Sequence, residues 1–223
     1  MQSIVQERGS VAFPDFTGER VYMREFRKAD GLPFDLARWQ PTIDAMLDGV
    51  DTDGPLYLMI DQGRIVAGNA HRRPGVHIDG YWNPAMQAHG GSGGGHNPQP
   101  NRSGGSHGGG GHSSRSDRSS GSHGGSRHSA GASNWAHATF SDPEAIILAS
   151  DVRGCRALVG SYDGQVGDGG DCSRFDLAGL HEIIMAPNTI YAGNVTMLHE
   201  SLPIAFDAMR TLVRINVPGW HPK

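Results

Sequence analysis

The apolar positions of this chain fall mostly in short runs that alternate with polar ones. Alternation sends neighbouring side chains to opposite faces, so it predicts strands. Arg20 to Phe26 alternates as a short strand inside an otherwise mixed stretch of residues 1 to 30. Helical spacing occurs once: Trp39, Ile43, Met46 and Leu47 predict helix between Phe34 and Leu47. Pro41 fits best in a first turn and can divide that segment into two short helices. From Leu56 the strand cadence takes over. Tyr57 to Ile60 and Arg64 to Ala67 flank the turn-like Asp61-Gln62-Gly63 and predict a hairpin. A strand over Arg73 to Gly80 follows. Further strands are predicted at Glu144 to Ala149, Arg156 to Gly160, Ile183 to Met185, Thr189 to Ala192, Val195 to His199 and Arg210 to Val217. About eight short strands between Gly, Pro and Asp turns point to a mainly β fold of the jelly-roll, cupin-like kind, with short helices in the first 55 residues as support.

One stretch breaks the cadence. Residues 89 to 133 hold 15 Gly, 12 Ser and 6 His and no Val, Ile, Leu, Met, Phe, Tyr or Trp. Such a segment buries too little apolar surface to offset the entropy of ordering it, and reads as a flexible, solvated, disordered insertion. Its histidines are irregularly spaced with nothing rigid to hold them. Its Gly/Ser/Arg content is similar to segments that touch single-stranded nucleic acid weakly. The expected single domain therefore has its core in residues 56–88 and 134–218. The insertion carries four Arg against one Asp, so the remainder of a chain with a formal −4 carries −7. That balance disfavours duplex DNA as a partner and leaves single-stranded nucleic acid compatible. Two cysteines, Cys155 and Cys172, define neither a zinc–cysteine site nor a disulfide framework. No signal peptide is legible at the N-terminus, and no apolar run approaches the ~20 residues that span a bilayer. The expectation is a cytoplasmic protein with no membrane partner and reduced thiols.

Candidate chemistry centres on His77-Ile78-Asp79. Residues two apart on a strand share a face, so an imidazole and a carboxylate would project together. With one more histidine they make the 2-His-1-carboxylate set that binds non-haem Fe(II) and leaves positions open. His199, near a predicted strand end, is the candidate third ligand. Arg210 opens the last strand eleven residues later. If it faces the interior, so do Leu212, Arg214 and Asn216, while Thr211, Val213, Ile215 and Val217 form an outward apolar stripe suited to cover by the helices. An inward Arg forks onto a carboxylate and keeps its charge at any working pH. His71, His137, His181 and His221 have no partner legible in the sequence, and Pro203 stands where an H-E-x-x-H zinc helix needs its second His.

His77-Ile78-Asp79, His199 and Arg210, in that order and near strand ends, resemble the Fe(II)- and 2-oxoglutarate-dependent oxygenases. The resemblance covers roughly Tyr57 to Val217 apart from the insertion. It implies a double-stranded β-helix, His77, Asp79 and His199 as catalytic iron ligands, and Arg210 as anchor for the 2-oxoglutarate co-substrate. The implied reaction couples decarboxylation of 2-oxoglutarate to succinate with oxidation of a substrate. Many members carry Ser or Thr two residues after the Arg, where this chain has Leu212; Arg214 faces the same way and can share or replace the anchoring role.

Two other classes fit the same residues. A cupin-like metalloenzyme would use the metal ligands without 2-oxoglutarate and without Arg210. A non-enzymatic jelly-roll module, for example a virion component, would need none of them, since the fold alone does not set function. The substrate is open between a small molecule, a protein side chain and a nucleobase.

Overall fold

The computed structural model describes residues 1–82 and 140–223. The insertion expected over 89–133, and His137, lie outside the described residues. The described part is mainly β, with two antiparallel sheets and few helices. Ten strands appear in chain order: β1 (Gln2–Ser3), β2 (Val5–Ser10), β3 (Arg20–Arg27), β4 (Pro55–Ile65), β5 (Glu144–Ser150), β6 (Cys155–Ser161), β7 (His181–Ile184), β8 (Thr189–Asn194), β9 (Leu198–Ser201) and β10 (Ala208–Pro218). The larger sheet runs β2-β8-β5-β10-β4-β3. In the smaller one β6 carries β7 on one edge, and β9 and β1 pair with it as well.

The helical segment divides as Pro41 suggests. A 3-10 turn at Phe34–Trp39 runs into helix α1 (Gln40–Met46), with the proline in its first turn, where the missing N–H costs nothing. Across the two, Trp39, Ile43 and Met46 are fully buried against the large sheet, in one cluster with Leu58, Ile147 and Val213. The stripe expected on the last strand is there: Val213, Ile215 and Val217 all join this cluster. Thr211 departs from it, buried and bonded through its hydroxyl to Gln62 Nε2 at 3.2 Å.

Three expectations need correction. Asp61-Gln62-Gly63 is no turn: β4 runs unbroken from Pro55 to Ile65, paired with β10 from Tyr57 to Ile65. Its polar residues are satisfied without turning the chain. The Gln62 side-chain oxygen Oε1 accepts from the Thr17 and Glu19 backbone amides at 2.9 and 3.1 Å, and Arg72 Nη1 donates to Asp61 Oδ2 at 2.9 Å. The strand placed at Val195 to His199 starts later, at Leu198, because Met197 N closes a turn onto Asn194 O. The stretch Arg73 to Gly80 forms no ladder of its own; His77 makes isolated bridges to His199 and Asp171. Strand β2 went unread because Val5–Ser10 shows no apolar alternation; it is an edge strand with no buried residue.

The two described segments are tied where they meet. Tyr81 stacks on Phe140 with ring centroids 5.7 Å apart. Its hydroxyl donates to Asp142 O and accepts from Asp142 N, both at 3.0 Å. Trp82 N donates to Glu144 Oε1 at 3.0 Å. Among the described residues, no helix is long and apolar enough to cross a membrane.

Candidate metal centre

Strand geometry brings the three candidate ligands together. His77 and His199 exchange backbone hydrogen bonds, N to O in both directions at 3.0 Å. Directly opposed residues of an antiparallel pair put their side chains on the same face. The two imidazoles accordingly lie 4.4 Å apart, centroid to centroid. Asp79, two residues on, shares that face, while the intervening Ile78 is fully buried in a separate apolar cluster with Leu158 and Leu198. The other edge of this segment is held by the 167–172 turn: Ile78 N donates to Gly170 O and Cys172 N to Val76 O. His77, Asp79 and His199 offer ligand atoms that all lie within 4.8 Å of one another.

The tautomers matter. His77 Nδ1 lies 2.7 Å from Gly75 O, and His199 Nδ1 lies 3.0 Å from Met197 O. A carbonyl only accepts, so each Nδ1 carries the hydrogen and each neutral ring keeps its lone pair on Nε2. His199 Nε2 then faces Asp79 Oδ2 at 3.4 Å. Two electron-rich atoms held at that distance are reconciled by a cation between them or by a proton on Nε2. Outer hydrogen bonds to the far ring nitrogen are what orient metal-bound histidines.

Electrostatics act on His77 and Asp79. Burial, then the neighbouring His199, lowers the His77 pKa to about 4, so the ring is neutral at pH 7. Burial by itself would raise the Asp79 carboxyl. Arg214, then His199 and His77, outweigh it and hold the group well below the usual carboxylate range. Arg214 Nη1 donates to Asp79 Oδ2 at 2.5 Å. Its Nη2 lies 3.6 Å from the Met23 sulfur. Met23 sits at the β3 bulge with a φ of +51°, a conformation a non-glycine residue holds only when packing enforces it. Here Tyr57, Met59, Leu212 and Trp82 supply that packing.

The three residues line a cavity of about 210 Å³ between the sheets, with Met59 and Leu212 as part of its apolar wall. Arg214 lines it; Arg210 does not. Arg210 shares the inward face but is fully buried, with Nε donating to Ser150 Oγ at 2.8 Å and Nη2 to Cys155 Sγ at 3.2 Å. Its Nη1 is buried with no hydrogen-bond partner. Gly154 makes room for it, since a Cβ there would meet Nη1 at 2.9 Å. A crevice of about 10 Å³, space for roughly one water, adjoins Arg210 and shares Leu148 and Cys155 with the larger cavity.

Sequence reasoning missed Arg72, Arg73, Cys155 and Ser201, which also line the cavity. Arg72-Arg73 was a usable signal, a doubled cation shortly before the His77 triplet. His71, without a partner in the sequence, has its Nε2 3.7 Å from Asp61 Oδ1. No protein-family model matches this chain, and searches of curated proteins and of solved structures find no match.

Proposed function

We propose that this chain is a non-haem Fe(II)- and 2-oxoglutarate-dependent oxygenase on a double-stranded β-helix. The observation that carries the reading is the His77–Asp79–His199 cluster, with both Nδ1 atoms on backbone carbonyls and Nε2 left for a cation. Strand order supports the fold. Successive elements alternate between sheets: β4 large, the His77 segment small, β5 large, β6 and β7 small, β8 large, β9 small, β10 large. That alternation is how a jelly roll winds, with β2 and β3 as additions at the edges of the large sheet.

The residues fit the groups. Ligands ~2.1 Å from an ion lie at most ~4.2 Å apart. A cluster spanning 4.8 Å closes onto one with small side-chain movements. Two imidazoles and one carboxylate suit Fe(II) and leave coordination positions free. For the co-substrate, the orphaned Arg210 Nη1 is the buried donor that a carboxylate would satisfy. Iron with 2-oxoglutarate and O2 would supply the oxidising power. The chain's own part is to hold the metal by three side chains, to keep Asp79 ionised through Arg214, and to keep the reaction among the apolar walls of Met59, Leu148 and Leu212.

One observation favours a second reading, a cupin-like metalloenzyme without 2-oxoglutarate. Arg210 stands outside the cavity lining, and the space beside it holds about one water, so a carboxylate enters only if Leu148 or Cys155 moves. Anaerobic titration with Fe(II), then 2-oxoglutarate, separates the readings through the weak visible metal-to-ligand band. The oxygenase shows the band, His77→Ala loses iron and band together, and Arg210→Ala keeps iron but weakens 2-oxoglutarate at least tenfold. Iron without a band selects the cupin-like reading, and no iron binding removes both.

A further inference from the structure

The cavity is charged against its surroundings. Outside residues 89–133 the sequence carries −7. The cavity is lined by Arg72, Arg73 and Arg214 against the single acid Asp79. Arg214 is occupied by Asp79. Arg72 and Arg73 are exposed residues that line the cavity, and their hydrogen bonds go to Asp61 and Gly169, not to the three candidate ligands.

Both are nevertheless held in place. Arg72 Nη1 donates to Asp61 Oδ2 at 2.9 Å. Asp61 is itself buried, and the His71 ring, outweighing the effect of burial and joined by Arg72, keeps its carboxyl well below the usual range. Arg73 Nη1 donates to the Gly169 carbonyl at 2.7 Å. Gly169 has a φ of +66°, and a Cβ there would meet Arg73 Nη1 at 3.2 Å, so this glycine makes the turn and leaves the guanidinium its place. Holding a long exposed side chain still costs rotamer entropy. Each Arg has one nitrogen tied and offers the rest of its five-donor fork. Two held forks lining one cavity offer an oxyanion receptor, and two forks suit a phosphate better than a carboxylate, which one fork satisfies.

We propose that Arg72 and Arg73 form a subsite for an oxyanion, foremost a phosphate group, carried by a small-molecule substrate whose remainder reaches the His77–Asp79–His199 centre. The inference rests on reading the cavity as a reaction chamber, but the anion subsite needs no metal. This makes the two separately testable.

The test titrates inorganic phosphate, and acetate in parallel, into the metal-free full-length protein at low salt, read by calorimetry. Wild type is expected to bind phosphate, and Arg73→Ala to bind it at least tenfold more weakly. Arg72→Lys, which keeps a cation near Asp61 but loses the fork, is expected to fall severalfold. Arg64→Ala is the control. Arg64 is an exposed arginine paired with Asp207 at 3.1 Å and not part of the cavity lining, so phosphate affinity should not change. Acetate binding more tightly than phosphate through Arg73 assigns the subsite to carboxylates. No phosphate or acetate binding by wild type, equal binding in wild type and Arg73→Ala, or an equal loss in Arg64→Ala overturns the subsite. The Fe(II)/2-oxoglutarate band supplies the second readout. If Arg73→Ala abolishes it, the arginines serve the co-substrate, and the assignment to substrate is overturned. If wild type shows no band yet binds phosphate through Arg73, the oxygenase reading fails and the anion subsite stands.

Discussion

Strand β10 has two faces that do opposite things. Toward the helices it presents Val213, Ile215 and Val217, each fully buried among apolar neighbours. Inward it presents Arg210, Leu212, Arg214 and Asn216: Arg210 bonds Ser150 and Cys155, Arg214 bonds Asp79 and Asn216 bonds Glu144, while Arg210 Nη1 stays without a partner. Burying a Val or Ile side chain contributes ~1.5–3 kcal/mol. Burying an ion pair roughly breaks even, and removing one partner is strongly unfavourable. One face of the strand therefore supplies stability, and the other is kept polar at little net gain. A fold has no thermodynamic reason to place two arginines and an asparagine on the inner face of a strand, with Asp79 and Glu144 against them, when its outer face is apolar but for Thr211. A chemical use for the inner face is such a reason.

The sharpest way to break the contrast is on the dry side. Trp39 is fully buried under the large sheet, and its indole N–H donates to Glu19 Oε2 at 2.9 Å. Trp39→Ala should cost about 3–5 kcal/mol of unfolding free energy. Urea denaturation measures it, and iron affinity of the folded fraction should stay within about twofold of wild type. If iron affinity falls in step with stability, the two faces are coupled and the division of labour is wrong.

Arg214→Ala comes next and acts on the wet side. It leaves Asp79 without its closest cation, a loss of about 2–3 kcal/mol after discounting the partial exposure of both side chains. The loss should be rescued in a way no core mutation can match. A divalent ion such as Co(II) supplies the missing positive charge, so its addition should raise the melting temperature more in Arg214→Ala than in wild type. An equal rise in both would mean that Asp79 does not meet the ion.

The outer face and the site were not equally legible in the sequence. The alternation Arg210-Thr211-Leu212-Val213-Arg214-Ile215-Asn216-Val217 shows both faces of β10, because period two is a local property. His77 and Asp79 share a face for the same local reason. Their meeting with His199 rested on order and spacing alone, and the opposed backbone pair that brings it about joins residues 122 positions apart. Arg214 was legible as inward, but its engagement with Asp79 was not, since nothing local distinguishes an arginine awaiting a ligand from one already paired. Asp61-Gln62-Gly63 misled for a related reason. Turn residues are favoured in turns because they satisfy the backbone or themselves locally. Here Thr17, Glu19 and Arg72 satisfy Gln62 and Asp61 from a distance, so the strand runs on.

The smallest effect tests the inner face at its far end. Glu144 Oε1 accepts from Asn216 Nδ2 at 2.8 Å and from Trp82 N at 3.0 Å. Burial raises its carboxyl above the ordinary 4.5, and these hydrogen bonds and Arg214 only partly offset that. The sign follows from linkage. A carboxyl whose folded pKa is raised binds its proton more tightly in the folded state. Its contribution is therefore full below pH 4.5 and is lost as pH rises through the folded value. A glutamine oxygen accepts the same two hydrogen bonds without a charge to desolvate. Glu144→Gln should then match wild type near pH 4 and exceed it by pH 7, by less than about 1 kcal/mol on the scale of a neutral-for-charged swap at a bonded site. Urea unfolding at the two pH values measures the difference. A glutamine variant less stable than wild type at pH 7 would show the Glu144 charge to be a wanted part of the Arg214–Asp79 network, which would carry the polar design of the inner face from the metal ligands to the end of the sheet.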